Sequence, residues 1–505
     1  MLELETTKNN KQTVGFHEHM DTYLSGKWFD FLVSSLTEEN IFNDTASFLK
    51  WFEDKKVQCF DVSEVPLNEM DNWYFEEATG NLRHKSGKFF SIEGVQVETN
   101  SGSVSEWSQP IINQPEIGIL GILAKKFDGI LYFLLQAKME PGNINKVQLS
   151  PTVQATRSNY SQIHKGKKTK YLEYFLYRNK SKVLLDQLQS EQGGRFLKKR
   201  NRNIIVEVCD SEEVQIDENF CWLTLGQIKK LLQYDNVVNM DTRTVISCIC
   251  YHNDGYSFSD VDRLTEYLHR SPLVTSSLSG FQFNILISAM ETNLGLHSLD
   301  DIRSWLTNLK TKYYIDVQRI PLNKVKKWKM DKFRIFHENG SFFEVVGATI
   351  RAEKREVQSW SQPLIKQVES GIVGFIVKNI GGLTHFLVQA KVEPGNFDII
   401  EMAPTVQCIT GSYRDEKAED QPKYLDLFLK PDLSKVRYRA FQSEEGGRFY
   451  HEQNQYFILE VGDEFPVEVH GDYIWMTLGQ MIEFIKYNNY LDVEARSLIS
   501  CLSFI

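Results

Sequence analysis

No window of the chain approaches 18 uninterrupted apolar residues, and the opening MLELETTKNNKQ has neither the basic start nor the apolar core of a secretory signal. A soluble, cytoplasmic protein with no membrane association is the expectation. Cysteine is scarce and odd in number: none of the seven (Cys59, Cys209, Cys221, Cys248, Cys250, Cys408, Cys501) forms a C-x-x-C pair. That argues against a disulfide framework and for reduced, mostly buried thiols. Basic residues are outnumbered, 57 Lys and Arg against 67 Asp and Glu, for a net charge of −10. No Lys/Arg run is long enough to make a polyanion surface, so nucleic acid is not an expected partner, although Lys198, Lys199, Arg200 and Arg202 together suit a small anion. Also missing are G-x-G-x-x-G at the start of a βαβ unit, G-x-x-x-x-G-K-[ST], H-E-x-x-H and G-x-S-x-G. Nicotinamide redox, P-loop hydrolysis, zinc peptidase and serine hydrolase chemistry lose ground with them. Glu444-Glu445-Gly446-Gly447 has the acidic end of a Nudix box, but the Arg-Glu that should precede it is absent from both halves, which counts against a metal-dependent pyrophosphatase.

What is present is a chain of 505 residues, too long for one core, with ordinary globular proportions of apolar (42%) and charged (25%) residues. It repeats itself. Trp107 recurs as Trp360, and the same shift of 253 carries Gln136 to Gln389, Tyr160 to Tyr413, Arg195 to Arg448 and Arg243 to Arg496; over 107–156 and 360–409, 25 of 50 positions are identical without a gap. So long a period means a duplicated domain and not a solenoid. The division is a loose N-terminus (1–20), a first repeat (21–251), a linker (252–272) and a second repeat (273–505). Each repeat reads as a few helices followed by a mixed β-sheet with flanking helices, an α+β domain. Apolar faces around Trp28 to Leu36 and Phe48 to Phe52 predict two helices, 117–123 and 131–139 a hairpin about Asp128-Gly129, and 222–234 an amphipathic helix capped by Thr224.

The richest stretch is 133–160, FLLQAKMEPGNINKVQLSPTVQATRSNY, which returns at 386–413 as FLVQAKVEPGNFDIIEMAPTVQCITGSY. At the strand period of two, Gln136, Lys138 and Glu140 share one face opposite Phe133, Leu135, Ala137 and Met139, and Gln389, Lys391 and Glu393 repeat the split. Such a strand, ending at Pro-Gly-Asn, is either the wall of a polar pocket or an exposed antiparallel edge. Further polar groups also come twice: Thr152 and Gln154, Arg157 and Tyr160, Glu191 and Arg195; then Thr405 and Gln407, Tyr413, Glu444 and Arg448. Together they suit a polyhydroxylated anion, with Arg for phosphate and Gln or Thr for hydroxyls. Trp107 and Trp360 either stack on a ring of the ligand or are core residues ahead of a proline.

These strings resemble a known family, the NDP-hexose 2,3-dehydratases, which act on dTDP-4-keto-6-deoxyglucose. The carriers are EWSQPII at 106–112, QAKMEPGN at 136–143, QLSPTVQATRSNY at 148–160, QSEQGGRF at 189–196, WLTLGQ at 222–227 and NMDTRTVISCI at 239–249, with SWSQPLI, QAKVEPGN, EMAPTVQC, QSEEGGRFY, WMTLGQ and EARSLISCL in the second half. The resemblance implies two tandem Nudix-like domains, a homodimer, and a reaction without cofactor or metal. The implied reaction eliminates the C2 hydroxyl of the 4-keto sugar nucleotide, giving a 3,4-diketo-2,6-dideoxyhexose for a 3-ketoreductase or aminotransferase to consume. A base removes the C3 proton acidified by the C4 carbonyl, an acid helps the C2 hydroxyl leave, and a cation steadies the enolate. On this reading Lys138 meets the oxyanion, Glu140 or Tyr160 moves protons, and Arg157 and Arg195 hold the diphosphate. The first-half pocket is the expected catalytic one, because Arg157, Lys198, Arg200 and Arg202 make it the more cationic. A protein of the same fold that only binds or isomerises a nucleotide sugar is the competing reading.

Overall fold

The structure is a computed structural model that describes residues 26–156, 169–177, 179–252, 280–352, 357–413 and 421–505. Residues 1–20, most of the linker, Arg157 and Tyr160 lie outside the described residues. The first half carries β1 (Phe60–Val65), β2 (Trp73–Phe75), β3 (Leu82–His84), β4 (Ser91–Thr99), β5 (Glu106–Asn113), β6 (Gly118–Phe127), β7 (Ile130–Met139), β8 (Val147–Ser150), β9 (Val153–Ala155), β10 (Lys182–Ser190), β11 (Arg200–Glu207) and β12 (Phe220–Thr224). The second repeats them as β13 (Ile315–Ile320), β14 (Trp328–Met330), β15 (Arg334–His337), β16 (Phe343–Ala352), β17 (Ser359–Gln367), β18 (Gly371–Ile380), β19 (Leu383–Lys391), β20 (Glu401–Ala403), β21 (Val406–Ile409), β22 (Val436–Ser443), β23 (Gln453–Val461) and β24 (Tyr473–Thr477).

Each half has a large mixed sheet, in the order β10-β11-β6-β7-β12 with β8 on β7 and β9 on β6, and β22-β23-β18-β19-β24 with β20 and β21 placed likewise. Only β11 with β6, and β23 with β18, run parallel within them. The hairpin at Asp128-Gly129 is present: Phe127 faces Ile130, and both turn residues have positive φ (49° and 79°), the geometry of a tight two-residue turn. β7 is an interior strand, flanked by β6, β12 and β8, so the exposed-edge reading of 133–139 does not hold. Phe133 and Leu135 are buried in the main core, and Gln136 and Lys138, on the other face, are half-buried.

The expected helix at 222–234 is shorter. Phe220–Thr224 is β12, paired with β7 from Phe220–Gln136 to Thr224–Tyr132, and the helix runs Leu225–Leu231 behind a Thr224–Gln227 capping box. An apolar run such as FCWL fits a buried strand as well as a helix, and here the neighbouring β7 takes it.

The two small sheets exchange strands between the halves. β1 pairs with β16 (Phe60–Ala352 through Val65–Gly347), and β13 pairs with β4 (Ile315–Thr99 through Ile320–Gly94). One core cluster contains side chains of both halves, from Phe31 to Phe504. Two fully buried arginines pin the same interface. Arg243 on the helix Met240–Ser247 donates to Ser497 Oγ (2.6 Å) and the Ser443 carbonyl (2.5 Å), and Arg496 on the helix Val493–Ser500 donates to the Ser190 carbonyl.

Candidate active site

The Pro-Gly-Asn turn that follows each pocket strand docks on the Gly-Gly turn of the other half. Gly142 N–H donates to Gly446 O (2.7 Å) and its carbonyl accepts from His451 N (2.9 Å); Gly395 N–H donates to Gly193 O (2.7 Å) and accepts from Lys198 N (2.8 Å). Only glycine fits at these contacts. A β-carbon on Gly142 would lie 1.4 Å from Phe449 O, and one on Gly395 1.7 Å from Phe196 O. The docking joins groups that lie about 300 residues apart in the chain at Gly142 and about 200 apart at Gly395.

In the first pocket Lys138 Nζ lies 3.1 Å from Glu140 Oε1, and Gln154 Nε2 donates to the same oxygen at 2.9 Å. Glu140 is 7% exposed. Around this pair stand Asp241, at the start of the helix Met240–Ser247, and Glu445 and Arg448 from the second half. Arg448 lies 4.1 Å over the Phe90 ring and donates to Gln114 Oε1 (3.2 Å). Burial, and then the nearby charges of Glu445, Glu191 and Glu140, push the Asp241 carboxyl well above the usual range. Glu445 is pushed up to about 7 by burial, against the pull of Arg448.

The second pocket is built from the same parts with different charges. Lys391 Nζ is 2.9 Å from Glu393 Oε1, and Arg195, from the first half, lies 4.2 Å over the Phe343 ring. Burial alone would lower the Lys391 ammonium, but Glu393, Glu494 and Asp492 hold it above its ordinary value. It is a firm cation and a poor base. Where the first pocket has Gln148, Asn239 and Lys199, the second has Glu401, Asp492 and Glu452. Burial drives Glu401 and Glu452 up to about 8 and Asp492 to about 7.

The profile of one protein family, described as NDP-hexose 2,3-dehydratase, matches residues 45–249 and again 299–502. Three curated relatives carry the description dTDP-4-dehydro-6-deoxy-α-D-glucopyranose 2,3-dehydratase. Those of Saccharopolyspora spinosa, Amycolatopsis orientalis and Streptomyces violaceoruber are 44%, 40% and 42% identical over 473, 479 and 463 residues, covering 94%, 93% and 91% of this chain and 94%, 93% and 97% of their own. The chain belongs to the NDP-hexose 2,3-dehydratase family. It is an enzyme, a carbon–oxygen lyase.

The dehydratase fold regroups the residues read from sequence. Arg195 does not complete the pocket of Lys138, whereas the charge of Glu191 reaches Asp241 and Glu445 there. The Gly193-Gly194-Arg195 turn lies against Glu393 and Asn396, and Gly446-Gly447-Arg448 lies against Glu140 and Asn143. Glu191 and Glu444 sit between the pockets, bound by Asn201 (2.6 Å) and Asn454 (2.7 Å). Of the cations expected to enrich the first pocket, Arg202 pairs with Asp186 (2.6 Å) and Arg200 lies over Phe397 of the second half at 4.0 Å. Lys199, which is not among them, is a cation whose charge reaches Glu191, Arg448 and Glu445. The first pocket is still the less acidic of the two, for other reasons than the expected ones.

Thr152 and Thr405 are buried and spend their hydroxyls inside the sheet, donating to Leu134 O and Leu387 O while accepting from Leu123 N (2.8 Å) and Ile376 N (2.9 Å). Trp107 and Trp360 are half-buried and donate to Gln109 and Gln362 (both 2.9 Å), which in turn hold the Gly194 and Gly447 carbonyls. Gln136, Gln389 and Gln407 are half-buried on the pocket strands, and Tyr413 packs behind the second sheet in the turn Thr410–Tyr413. Sequence reading missed Asp241, Glu445, Asp492, Glu494, Glu401 and Lys199. The signals were there in part: NMDTR and DVEAR share an arginine, and EQGG and EEGG differ by one acid.

Among the described residues, Cys250, His252 and Glu483 bring metal-ligating atoms within 4.8 Å of one another. Burial would lower the His252 imidazole, but hydrogen bonds with Cys250 and Glu483 carry it up to about 9. His252 Nε2 lies 2.9 Å from Glu483 Oε1, an ion pair tying the end of the first half to the helix Leu478–Ile485. A cavity of about 490 Å³ opens among Phe42, Phe48, Trp51, Phe127, Phe220 and Trp222; no candidate residue lines it.

Proposed function

We propose that this lyase removes water across C2 and C3 of dTDP-4-keto-6-deoxyglucose, giving the dTDP-linked 3,4-diketo-2,6-dideoxyhexose. The observation that carries the reading is the Lys138–Glu140 ion pair in a pocket closed by Arg448 of the other half. The printed names of the relatives support the same substrate class. The C4 carbonyl acidifies the C3 hydrogen, and removal of that proton puts charge on the C4 oxygen. A fixed ammonium there is worth on the order of 3 kcal/mol of transition-state stabilisation, and a positioned proton-transfer group contributes about 10²–10⁴-fold. Lys138, steadied by Glu140, suits the first task; Glu140 and Tyr160 are the sequence candidates for the second. Arg448 takes the diphosphate in the first pocket, as Arg195 does in the second. The first pocket is the catalytic one, because it has Lys199 where the second has Glu452 and so offers a diphosphate one more cation. A cytoplasmic homodimer of Nudix-like repeats, its unstable product passed to a 3-ketoreductase or aminotransferase, completes the reading on the strength of the family resemblance.

The test is anaerobic incubation with the 4-keto sugar nucleotide and a trapping 3-ketoreductase, with mass spectrometry for loss of water, on wild type, Lys138→Ala and Lys391→Ala. Water loss abolished in Lys138→Ala is expected. Substrate bound but returned intact or isomerised by wild type favours the binding or isomerising alternative, and loss of turnover only in Lys391→Ala moves catalysis to the second pocket.

A further inference from the structure

Glu445 enters the first pocket from the second half, and of the two carboxyls there without a hydrogen-bond or ion-pair partner among the described residues, Asp241 and Glu445, it is the less buried. A β-carbon on Gly447 would lie 2.4 Å from Glu445 Oε1 and 3.5 Å from Glu140 Oε1, so the two carboxyls border one small space. Glu140 is occupied by Lys138 and Gln154, Glu444 by Gln192 (2.6 Å) and Asn454, and Glu191 by Asn201. Among the described residues the Glu445 carboxyl has no hydrogen-bond or ion-pair partner, although the residue is only half-exposed. An acid left unpartnered in a mostly buried position is costly unless a ligand or a reaction uses it.

The internal duplication supplies a comparison within one molecule. The position equivalent to Glu445 in the second pocket is Gln192, which cannot take a proton from carbon, and its amide is spent on Met240 Sδ (3.0 Å) and Glu444 Oε2. The changes from Gln148 to Glu401, Asn239 to Asp492 and Lys199 to Glu452 each add an acid to the second pocket; this one adds an acid to the first.

We propose that Glu445 is the general base that takes the C3 proton in the first pocket, so that the active centre of one half is completed by the other. The proposal rests on the dehydratase reading and on the first pocket being catalytic. The C3–H bond breaks to the Glu445 carboxylate, and its electron pair forms the enolate, whose charge on the C4 oxygen faces Lys138. The C4 carbonyl then re-forms, the C2–C3 double bond forms, and the C2–O bond breaks. The departing hydroxide takes the proton back from Glu445 and leaves as water, so no other donor, metal or redox partner is needed. The groups facing Glu445 are Lys138, Lys199 and Arg448 on the cationic side and Glu140, Glu191 and Asp241 on the acidic side. Their balance, with burial, leaves its pKa at about 7, where a general base works best at neutral pH.

The experiment is Glu445→Gln in the full-length protein, read by water loss and by exchange of the substrate C3 hydrogen with solvent deuterium. Turnover should fall about 10²–10⁴-fold with KM within about twofold, C3 exchange should be lost, and the fall of kcat/KM below pH 7 expected of wild type should flatten. Glu445→Asp, which keeps the charge one methylene further back, should restore part of the exchange and serves as the reporter should the glutamine variant fold poorly. If Glu445→Gln keeps exchange and turnover while Lys138→Ala abolishes them, the assignment of Glu445 is overturned and the pocket assignment stands. If wild type releases no water, or Lys391→Ala is the variant that stops turnover, the reading beneath the proposal has failed and takes Glu445 with it.

Discussion

Arg448 and Arg195 are equivalent by sequence, and the structure holds them in the same way. Each stacks on a phenylalanine of the opposite half and holds its own Gly-Gly carbonyl, Arg448 at 2.7 Å and Arg195 at 3.0 Å. Among the described residues neither guanidinium comes within ion-pair distance of a carboxylate, so each has charge free for an anion. An ion pair to a diphosphate is made equally in ground and transition states, so Arg448→Ala should raise KM about 10-fold or more and change kcat little. Steady-state kinetics decide it, and an unchanged KM with a depressed kcat would mean that Arg448 acts on the reacting carbons. His252 gives a pH prediction. Its folded-state pKa, about 9, lies above the ordinary 6.5, so its ion pair with Glu483 stabilises the protein fully below pH 6.5 and loses that contribution as pH rises through about 9. Wild type should exceed His252→Gln in stability by on the order of 2–3 kcal/mol near pH 6 and by little at pH 9.5, measured by denaturant titration. A gap of constant size across that range would remove the ion pair from the account.

At the level of elements, the repeat made the strands legible. A period of two with Gln, Lys and Glu on one face cannot belong to a helix, and the same pattern 253 residues later confirms that the alternation is no accident. The crosswise docking of the turns was not legible, for a physical reason. Because PGN and GGRF occur in both halves, docking within a half and docking between halves satisfy the same strings with the same bonds; only chain geometry chooses. The choice could not be read from Gly142 or Gly395, yet it explains why both must be glycine. Gly142→Ala would drive a methyl into the Phe449 carbonyl, which is backbone and cannot rotate away, and so should separate the turns and cost about 3 kcal/mol or more. Thermal denaturation of Gly142→Ala and Gly395→Ala against Gly87→Ala, where nothing lies within 4 Å of the added carbon although φ is 65°, isolates the clash from ordinary left-handed strain. Equal destabilisation in all three variants would show that the close approach is not what matters.

Across the whole molecule, neither half is a self-sufficient unit. Cut between the halves, the first would lose β13 from the edge of β4 and the second would lose β1 from the edge of β16, leaving two long strands with unpaired backbone. Arg243 would keep Val238 O and lose Ser443 O, Gln442 Oε1 and Ser497 Oγ, three of its four hydrogen bonds, all from the other half. Stripping a buried guanidinium of its partners costs about 3–5 kcal/mol, and Arg496 would suffer the same, so these two groups alone rival the stability of a typical domain. Covalent continuity through 253–279 is therefore not what holds the halves together. A protease site inserted in that segment and cut to completion should yield two fragments that elute as one particle, melt in one transition and keep dehydratase activity. Fragments 1–252 and 280–505 produced separately should be insoluble or unfolded, and refolding them together should recover the particle. Two fragments that part into stable folded monomers after the cut would show that the exchanged strands and buried arginines are ornaments of two independent domains.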